Sequence, residues 1–218
     1  MEKSIETIWK EGFLKNDALV APKVNDIYNQ KSLDIVEKFK RMYKLNRIGI
    51  ILFAIIIVPV SYITKMIYTG IPMTILFVFI SVVAAKFSKQ LNTIDKNKSS
   101  YEYLSSFNIW IKNMVAVNSK LSTILYPYIF VAVAVGFWFI DIDGKILGDL
   151  FVNGFLSKFP SSPVVYGFPI LLVIPFVLII ILLAFFGGKI GKWDINLVYG
   201  GIIKRLDTLL SDMEELRA

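Results

Sequence analysis

Four long, mostly apolar runs alternate with charged segments along the chain. They cover about residues 48–67, 72–87, 121–140 and 164–187. A helix needs about 20 mostly apolar residues to cross roughly 30 Å of hydrocarbon, and each run is near that length. The pattern therefore predicts four transmembrane helices. Gly70 and Pro72 predict a tight turn between the first two.

Two of the charged segments, residues 86–120 and 189–218, show helical periodicity as well. Their apolar residues recur every three or four positions, as in helices that pack along a shared seam. They include Leu104, Phe107, Ile111 and Met114 in the first segment and Leu206, Leu209 and Met213 in the second. The stripe in the tail is wider than a two-stranded seam, which favours a bundle over an isolated dimeric coiled coil. The alternative is a stripe that stays exposed until a partner helix covers it.

The predicted fold is an all-α, polytopic membrane protein whose four transmembrane helices continue into a cytoplasmic helical bundle. Residues 1–47 form N-terminal helices, 48–188 the membrane domain, and 189–218 a C-terminal amphipathic helix. Pro22 suits the first position of a helix, and it is expected to divide a short N-terminal helix, about 4–15, from the long one that enters the membrane.

Helix boundaries between the second and third runs are also predicted. Ser99 and Glu102 have the spacing of a capping box, so a helix is expected to begin at residue 100 and to lead into the third span. The second span is expected to continue to about Thr93. Together these two helices form a cytoplasmic hairpin.

Lysine and arginine lie mainly in alternate segments. Of the 24 basic residues, 21 fall in residues 1–47, 86–120 and 189–218, and three fall in the segments on the opposite side. Loops rich in Lys and Arg remain in the cytoplasm. Both termini are therefore predicted to be cytoplasmic, in a membrane that we expect to be the bacterial cytoplasmic (inner) membrane.

The segment 141–163 is predicted to be an outer amphipathic loop. Its apolar residues, from Ile146 to Phe159, are spaced near three and four positions, which is typical of an amphipathic helix at the membrane surface. Asp141, Asp143 and Gly144 lack the further ligands of an EF-hand calcium loop. A solvated turn is the better interpretation of these residues.

Composition narrows the available chemistry. The chain is 56% hydrophobic and has neither cysteine nor histidine, which excludes thiolate zinc sites, cysteine nucleophiles and the commonest general base. We therefore predict no catalytic, cofactor-binding or metal-binding residues. The run from Gly187 to Lys192 lacks the Walker spacing of a phosphate loop. The positive-inside distribution explains the basic clusters, so no nucleic-acid partner is expected.

The N-terminal region carries a resemblance to known proteins. It rests on the sequence IWKEGF at residues 8–13 and APKVNDIYNQKS at residues 21–32. With the span layout, these stretches resemble a group of uncharacterised small four-helix bacterial membrane proteins, over about the first fifty residues. The resemblance implies a four-span membrane fold. The group has no assigned activity, so it implies no functional residues.

The distribution of charge favours a non-enzymatic role. No charged residue lies in the middle of a span, which argues against an ion-coupled transporter. We expect a regulator or scaffold that docks a cytoplasmic protein partner at the lipid bilayer, with Trp9, Phe13, Trp110 and Leu209 as candidate docking residues. The alternative is a homo-oligomeric pore or membrane-perturbing effector. A lipid-modifying enzyme has the least support, because paired catalytic carboxylates are lacking.

The predicted topology can be tested with a reporter that is active only outside the cytoplasm. Fused after Ala218, or inserted within residues 96–99, it should be silent; inserted near Gly144 it should be active. An active fusion after Ala218 would overturn the predicted orientation.

Overall fold

The computed structural model describes the backbone of residues 5–215 and the side chains of residues 28–215. Within that range there are five helices, four of them long, and four two-residue strands. The helices are α1 (Ile5–Ile63), α2 (Ile67–Asn92), α3 (Ser100–Trp138), α4 (Leu147–Lys158) and α5 (Ile170–Glu215). The strands are β1 (Asp141–Ile142), β2 (Lys145–Ile146), β3 (Val164–Val165) and β4 (Phe168–Pro169). The all-helical character of the four spans is confirmed.

The four long helices run alternately up and down. Each of α1, α2, α3 and α5 contains a stretch long and apolar enough to cross a membrane. We call these stretches the apolar tier, which consists of residues 48–63, 67–82, 121–138 and 170–188. The opposite parts of the same helices form what we call the basal bundle, which consists of residues 28–47, 83–92, 100–120 and 189–215.

The basal bundle has a continuous hydrophobic core to which all four long helices contribute. Its buried side chains include Val36, Phe39 and Tyr43 from α1, Phe87 and Leu91 from α2, Leu104, Phe107, Trp110 and Ile111 from α3, and Tyr199, Ile202, Leu206, Leu209 and Met213 from α5. The two stripes predicted from the sequence therefore pack against each other within one chain. Packing within a bundle is confirmed, and the cytoplasmic location of the bundle stays a prediction.

Phe39 lies at the centre of this core. Its ring centroid is 5.3 Å from that of Phe107, 5.5 Å from that of Trp110 and 4.9 Å from that of Tyr199. Edge-to-face and offset pairs at these separations are favourable beyond the area that they bury. One side chain of α1 thus joins α3 and α5 in the middle of the bundle.

Small residues set the packing in the apolar tier. Gly70 of α2 packs directly on Ser61 of α1, and Gly136 of α3 packs on Thr69 of α2. Gly187 of α5 packs on the backbone of α3, where an added Cβ would lie 2.7 Å from the carbonyl oxygen of Ser122. Small residues are typical of close helix contacts inside membranes. In the tier, these contacts join α1 to α2, α2 to α3 and α3 to α5.

The turn between α1 and α2 lies at a different place from the one that the sequence predicted. The first turn is formed by residues 64–66, not 68–72, and Pro72 lies inside α2. Gly70 is needed for the close approach of α1, not for a turn. Gly187 and Gly191, which are spaced four residues apart in α5, are both buried against α3.

Pro22 is not the helix boundary that the sequence predicted. The backbone of α1 is helical from Ile5 to Ile63 and passes through this proline. A proline inside a helix removes one hydrogen bond and crowds one carbonyl, and helical turns on both sides can retain the helix. By contrast, the predicted start of α3 is confirmed, because the Ser99 hydroxyl accepts a hydrogen bond from the Glu102 backbone N–H at 3.3 Å.

The connection between α3 and α5 contains α4 flanked by two hairpins. The amphipathic helix predicted there corresponds to α4, but β1–β2 before it and β3–β4 after it were not predicted. The second hairpin occupies residues 164–169, so α5 begins at Ile170, later than the predicted start near Val164. Asp141 to Gly144 form the solvated turn that was expected, in which the Asp141 carboxylate accepts a hydrogen bond from the Gly144 backbone N–H at 2.8 Å.

The core packing predicts that two leucines of α5 differ strongly in their contribution to the free energy of unfolding. Leu206 is 0% exposed and Leu197 is 71% exposed. Leu206→Ala should lower the free energy of unfolding by about 2–5 kcal/mol, because it leaves a cavity in the core. Leu197→Ala, the matched control, should change it by about 0.5 kcal/mol or less. Thermal and denaturant unfolding in detergent measure both. Equal effects of the two substitutions would contradict the packing described for the basal bundle.

Candidate functional site

The four candidate docking residues fall into two groups. Trp110 is 7% exposed and Leu209 is 6% exposed, and both belong to the core of the basal bundle. The side chains of Trp9 and Phe13 lie outside the described residues. The docking role of all four stays a prediction. In the folded bundle, however, Trp110 and Leu209 are largely buried, because the stripes that carry them pack against neighbouring helices.

A groove of about 540 Å³ lies between α1 and α5 in the basal bundle. Its lining residues are Lys31, Asp34 and Ile35 of α1, and Gly201, Lys204, Arg205, Thr208, Leu209 and Asp212 of α5. Leu209 is thus both a core residue and part of this lining. Ile35 and Leu209 are its two large apolar side chains, and charged groups of both signs surround them. We call this feature the α1–α5 groove.

Gly201 lies in the wall of the α1–α5 groove and has open space around it. A Cβ built on this residue would meet no atom within 4 Å. Where α1 and α5 do meet, they are joined by ring packing of Phe39 on Tyr199 and by a hydrogen bond of 3.0 Å from the Asn46 side-chain amide to the Tyr199 hydroxyl. Gly201 is exposed beside this contact. The α5 wall of the groove therefore has open space at Gly201.

An exposed apolar stripe extends from the groove towards the apolar tier. Trp193, Leu197 and Gly201 are spaced four residues apart and so share one face of α5. Trp193 and Leu197 are exposed large hydrophobic residues. A second groove, of about 340 Å³, lies on the other flank of α5, against α3. The bundle segment of α5 is thus accessible along its length.

The aromatic core beside the groove carries no charge at neutral pH. Burial, and after it the neighbouring Tyr199, raise the pKa of Tyr43 to about 12. Burial also raises the pKa of Tyr199, against the opposing effect of its hydrogen bond from Asn46. The Tyr43 hydroxyl donates to the Ala84 carbonyl oxygen at 3.2 Å. The charge of the site therefore resides at the groove rim, in Lys31, Asp34, Lys204, Arg205 and Asp212.

The core also holds buried polar atoms that the sequence did not identify. Within the described part of the chain, the Trp110 indole N–H and the Tyr103 hydroxyl are buried without a hydrogen-bond partner. An unsatisfied buried polar group costs roughly 1–3 kcal/mol. Trp110 instead has its ring stacked on Phe107, at 6.0 Å between centroids and 8° between planes. Its place in the core rests on ring packing.

Sequence reasoning missed most of the groove. Only Leu209 was among the candidate residues, because it belonged to the apolar stripe. Gly201 had a signal, since paired glycines at 200 and 201 interrupt an otherwise helix-favouring tail. The sequence carried no signal for the groove rim, because its charged residues resemble those of any solvent-exposed helix face. A tie between α3 and α5, the hydrogen bond from the Tyr126 hydroxyl to the Asp194 carboxylate, was also not predicted.

The fold and the composition of its helices define an α-helical protein of the multi-pass membrane class. No family model matches the chain, and no curated protein or solved structure is detectably similar to it. Among the described residues, no three Asp or Glu side chains are grouped so that they could hold a metal ion. The α1–α5 groove is therefore the strongest candidate functional site.

In α5, Gly201 has open space around it and Gly187 packs against α3. Substitution by alanine should therefore change the free energy of unfolding in opposite directions at these two positions. Gly201→Ala should raise the free energy of unfolding by about 0.5–1 kcal/mol, because alanine favours the helix and the added methyl group meets open space. Gly187→Ala should lower it by about 1–3 kcal/mol, because its Cβ would press on the backbone of α3. Denaturant unfolding in detergent compares the two variants. A destabilising Gly201→Ala would mean that the groove is closed in solution.

Proposed function

We propose that this chain is a non-enzymatic membrane scaffold or regulator whose basal bundle, on the cytoplasmic side, docks a protein partner through the α1–α5 groove. The observation that carries the proposal is the groove itself, in which an apolar lining from Ile35 and Leu209 is surrounded by charges of both signs. Such a surface fits an amphipathic helix, which buries an apolar face while its flanking charges pair at the rim.

The membrane setting supports this assignment. The basic residues cluster on the side of the basal bundle, as expected for a cytoplasmic face. A scaffold needs a rigid surface held at a fixed distance from the bilayer. Because α5 is one helix from Ile170 to Glu215, the α5 wall of the groove belongs to the same helix as a stretch able to cross the membrane.

The apolar tier gives little support to a pore within one chain. Its two buried serines form hydrogen bonds within their own helices: the Ser61 hydroxyl donates to the Val58 carbonyl oxygen at 2.8 Å, and the Ser122 hydroxyl donates to the Asn118 carbonyl oxygen at 2.8 Å. Side chains used in this way do not form a continuous polar path. A pore would require several copies of the chain.

Site-specific photocrosslinking in native membranes tests the proposal. A photoreactive amino acid at Thr208, on the groove wall, should give one discrete adduct with a different protein. The same group at Ile109, an exposed residue of α3 outside the groove, is the matched control and should not give that adduct. The partner, once identified by mass spectrometry and purified, should bind the wild-type chain in nanodiscs.

The same binding measurement tests the groove directly. Gly201→Trp should weaken binding at least tenfold, since its ring fills the groove. Gly154→Trp is the control, because Gly154 in α4 also has open space around its Cβ, and it should bind normally. Two results together would favour the pore over the scaffold. The crosslinked adduct at the groove would contain only copies of this chain, and vesicles that contain the purified protein would leak dye. Normal binding by Gly201→Trp would remove the groove from the site.

A further inference from the structure

Two hairpins at the far end of the molecule share a backbone geometry and differ in chemistry. In each, two residues with positive φ connect the strands: Asp143 (53°) with Gly144 (79°), and Tyr166 (49°) with Gly167 (84°). Positive φ at both central positions is the type I′ turn, which favours Asn, Asp and Gly. The first turn follows that preference, with a polar tip. The second has a tyrosine where a short polar residue is favoured.

The second tip is exposed and apolar. Tyr166 is 96% exposed, the highest value among the exposed large hydrophobic residues. Val164, Val165 and Phe168, which form the strands beside it, are exposed as well. Left-handed backbone is rare for a large aromatic residue, and nothing in the described chain packs on this ring. The protein thus holds an amphipathic ring outward at a position that disfavours it.

The base of this hairpin is fixed. The Phe168 ring lies 5.2 Å from that of Trp138 at the end of α3, and Pro169 is fully buried. The Ile170 backbone N–H donates to the Pro163 carbonyl oxygen at 3.0 Å. Because Ile170 is the first residue of α5, the tip lies at the end of the apolar tier. That is the level at which a bilayer has its headgroups.

We propose that the β3–β4 hairpin is a membrane-surface anchor, with the Tyr166 ring inserted at the boundary between the lipid headgroups and the acyl chains. Tyrosine suits this boundary because its ring is apolar and its hydroxyl is polar. The β1–β2 hairpin, with Asp143, Gly144 and Lys145, faces water. The proposal rests on the membrane placement proposed above, and it assigns a lipid contact to a segment outside the four helices.

The absence of cysteine from the chain makes spin labelling direct. Three single variants, Tyr166→Cys, Asp143→Cys and Leu178→Cys, are labelled and reconstituted in bilayers of phosphatidylcholine and phosphatidylglycerol. Power saturation with oxygen and with a water-soluble nickel complex measures the depth of each label. Leu178, an exposed residue in the middle of the apolar stretch of α5, reports on the membrane placement. The expected order of depth is Leu178, then Tyr166, then Asp143.

Each outcome separates the two proposals. A lipid-exposed label at Leu178 with Tyr166 as water-exposed as Asp143 overturns the anchor alone. A water-exposed label at Leu178 overturns the membrane placement itself. A Tyr166 label shielded from both reagents means a protein contact and also overturns the anchor. A second experiment leaves the tip unlabelled and places the spin label at Val165. Adding Tyr166→Asn should move this label towards water. Adding Asp143→Asn, the control, should leave the depth of the label unchanged.

Discussion

The packing of the basal bundle around Phe39 is the interaction on which the rest of the structure depends. This ring contacts aromatic side chains of α3 and α5 from its place on α1, and α2 closes the same core with Phe87 and Leu91. All four long helices meet around this core. The basal bundle therefore fixes the spacing of α1 and α5, and with it the width of the groove between them.

A different rule governs the apolar tier. Its helix contacts use Gly70, Gly136 and Gly187, whereas its exposed faces carry large aliphatic and aromatic side chains. In lipid, burying apolar surface gives no driving force between helices, so close backbone approach and van der Waals contact must hold them together. Small residues at the helix contacts and large apolar residues on the exposed faces are therefore the arrangement expected in a lipid bilayer. It explains why the tier is held by a few close contacts and the bundle by a broad core.

The α1–α5 groove and the β3–β4 hairpin lie at opposite ends of α5. The α1–α5 groove flanks its last turns, and the β3–β4 hairpin directly precedes its first residue, Ile170. At 1.5 Å per residue, the 46 residues of α5 extend about 70 Å. In both places a residue departs from local preference: Gly201 is a poor helix former with open space around it, and Tyr166 adopts a backbone that disfavours it. Such departures are typical of functional positions.

The sequence by itself determined the helices and their apolar faces, because hydrophobic periodicity and length are local properties of the chain. It predicted the four spans, the helix start at residue 100, and the stripes that place Leu104, Phe107, Leu206 and Leu209 in one core. Only the tertiary structure decided what each glycine does. A glycine that permits a turn, one that admits a neighbouring helix and one that leaves a groove open look alike in sequence, as Gly144, Gly70 and Gly201 do. Their difference lies in which backbone comes close, and residues far apart in the chain decide that.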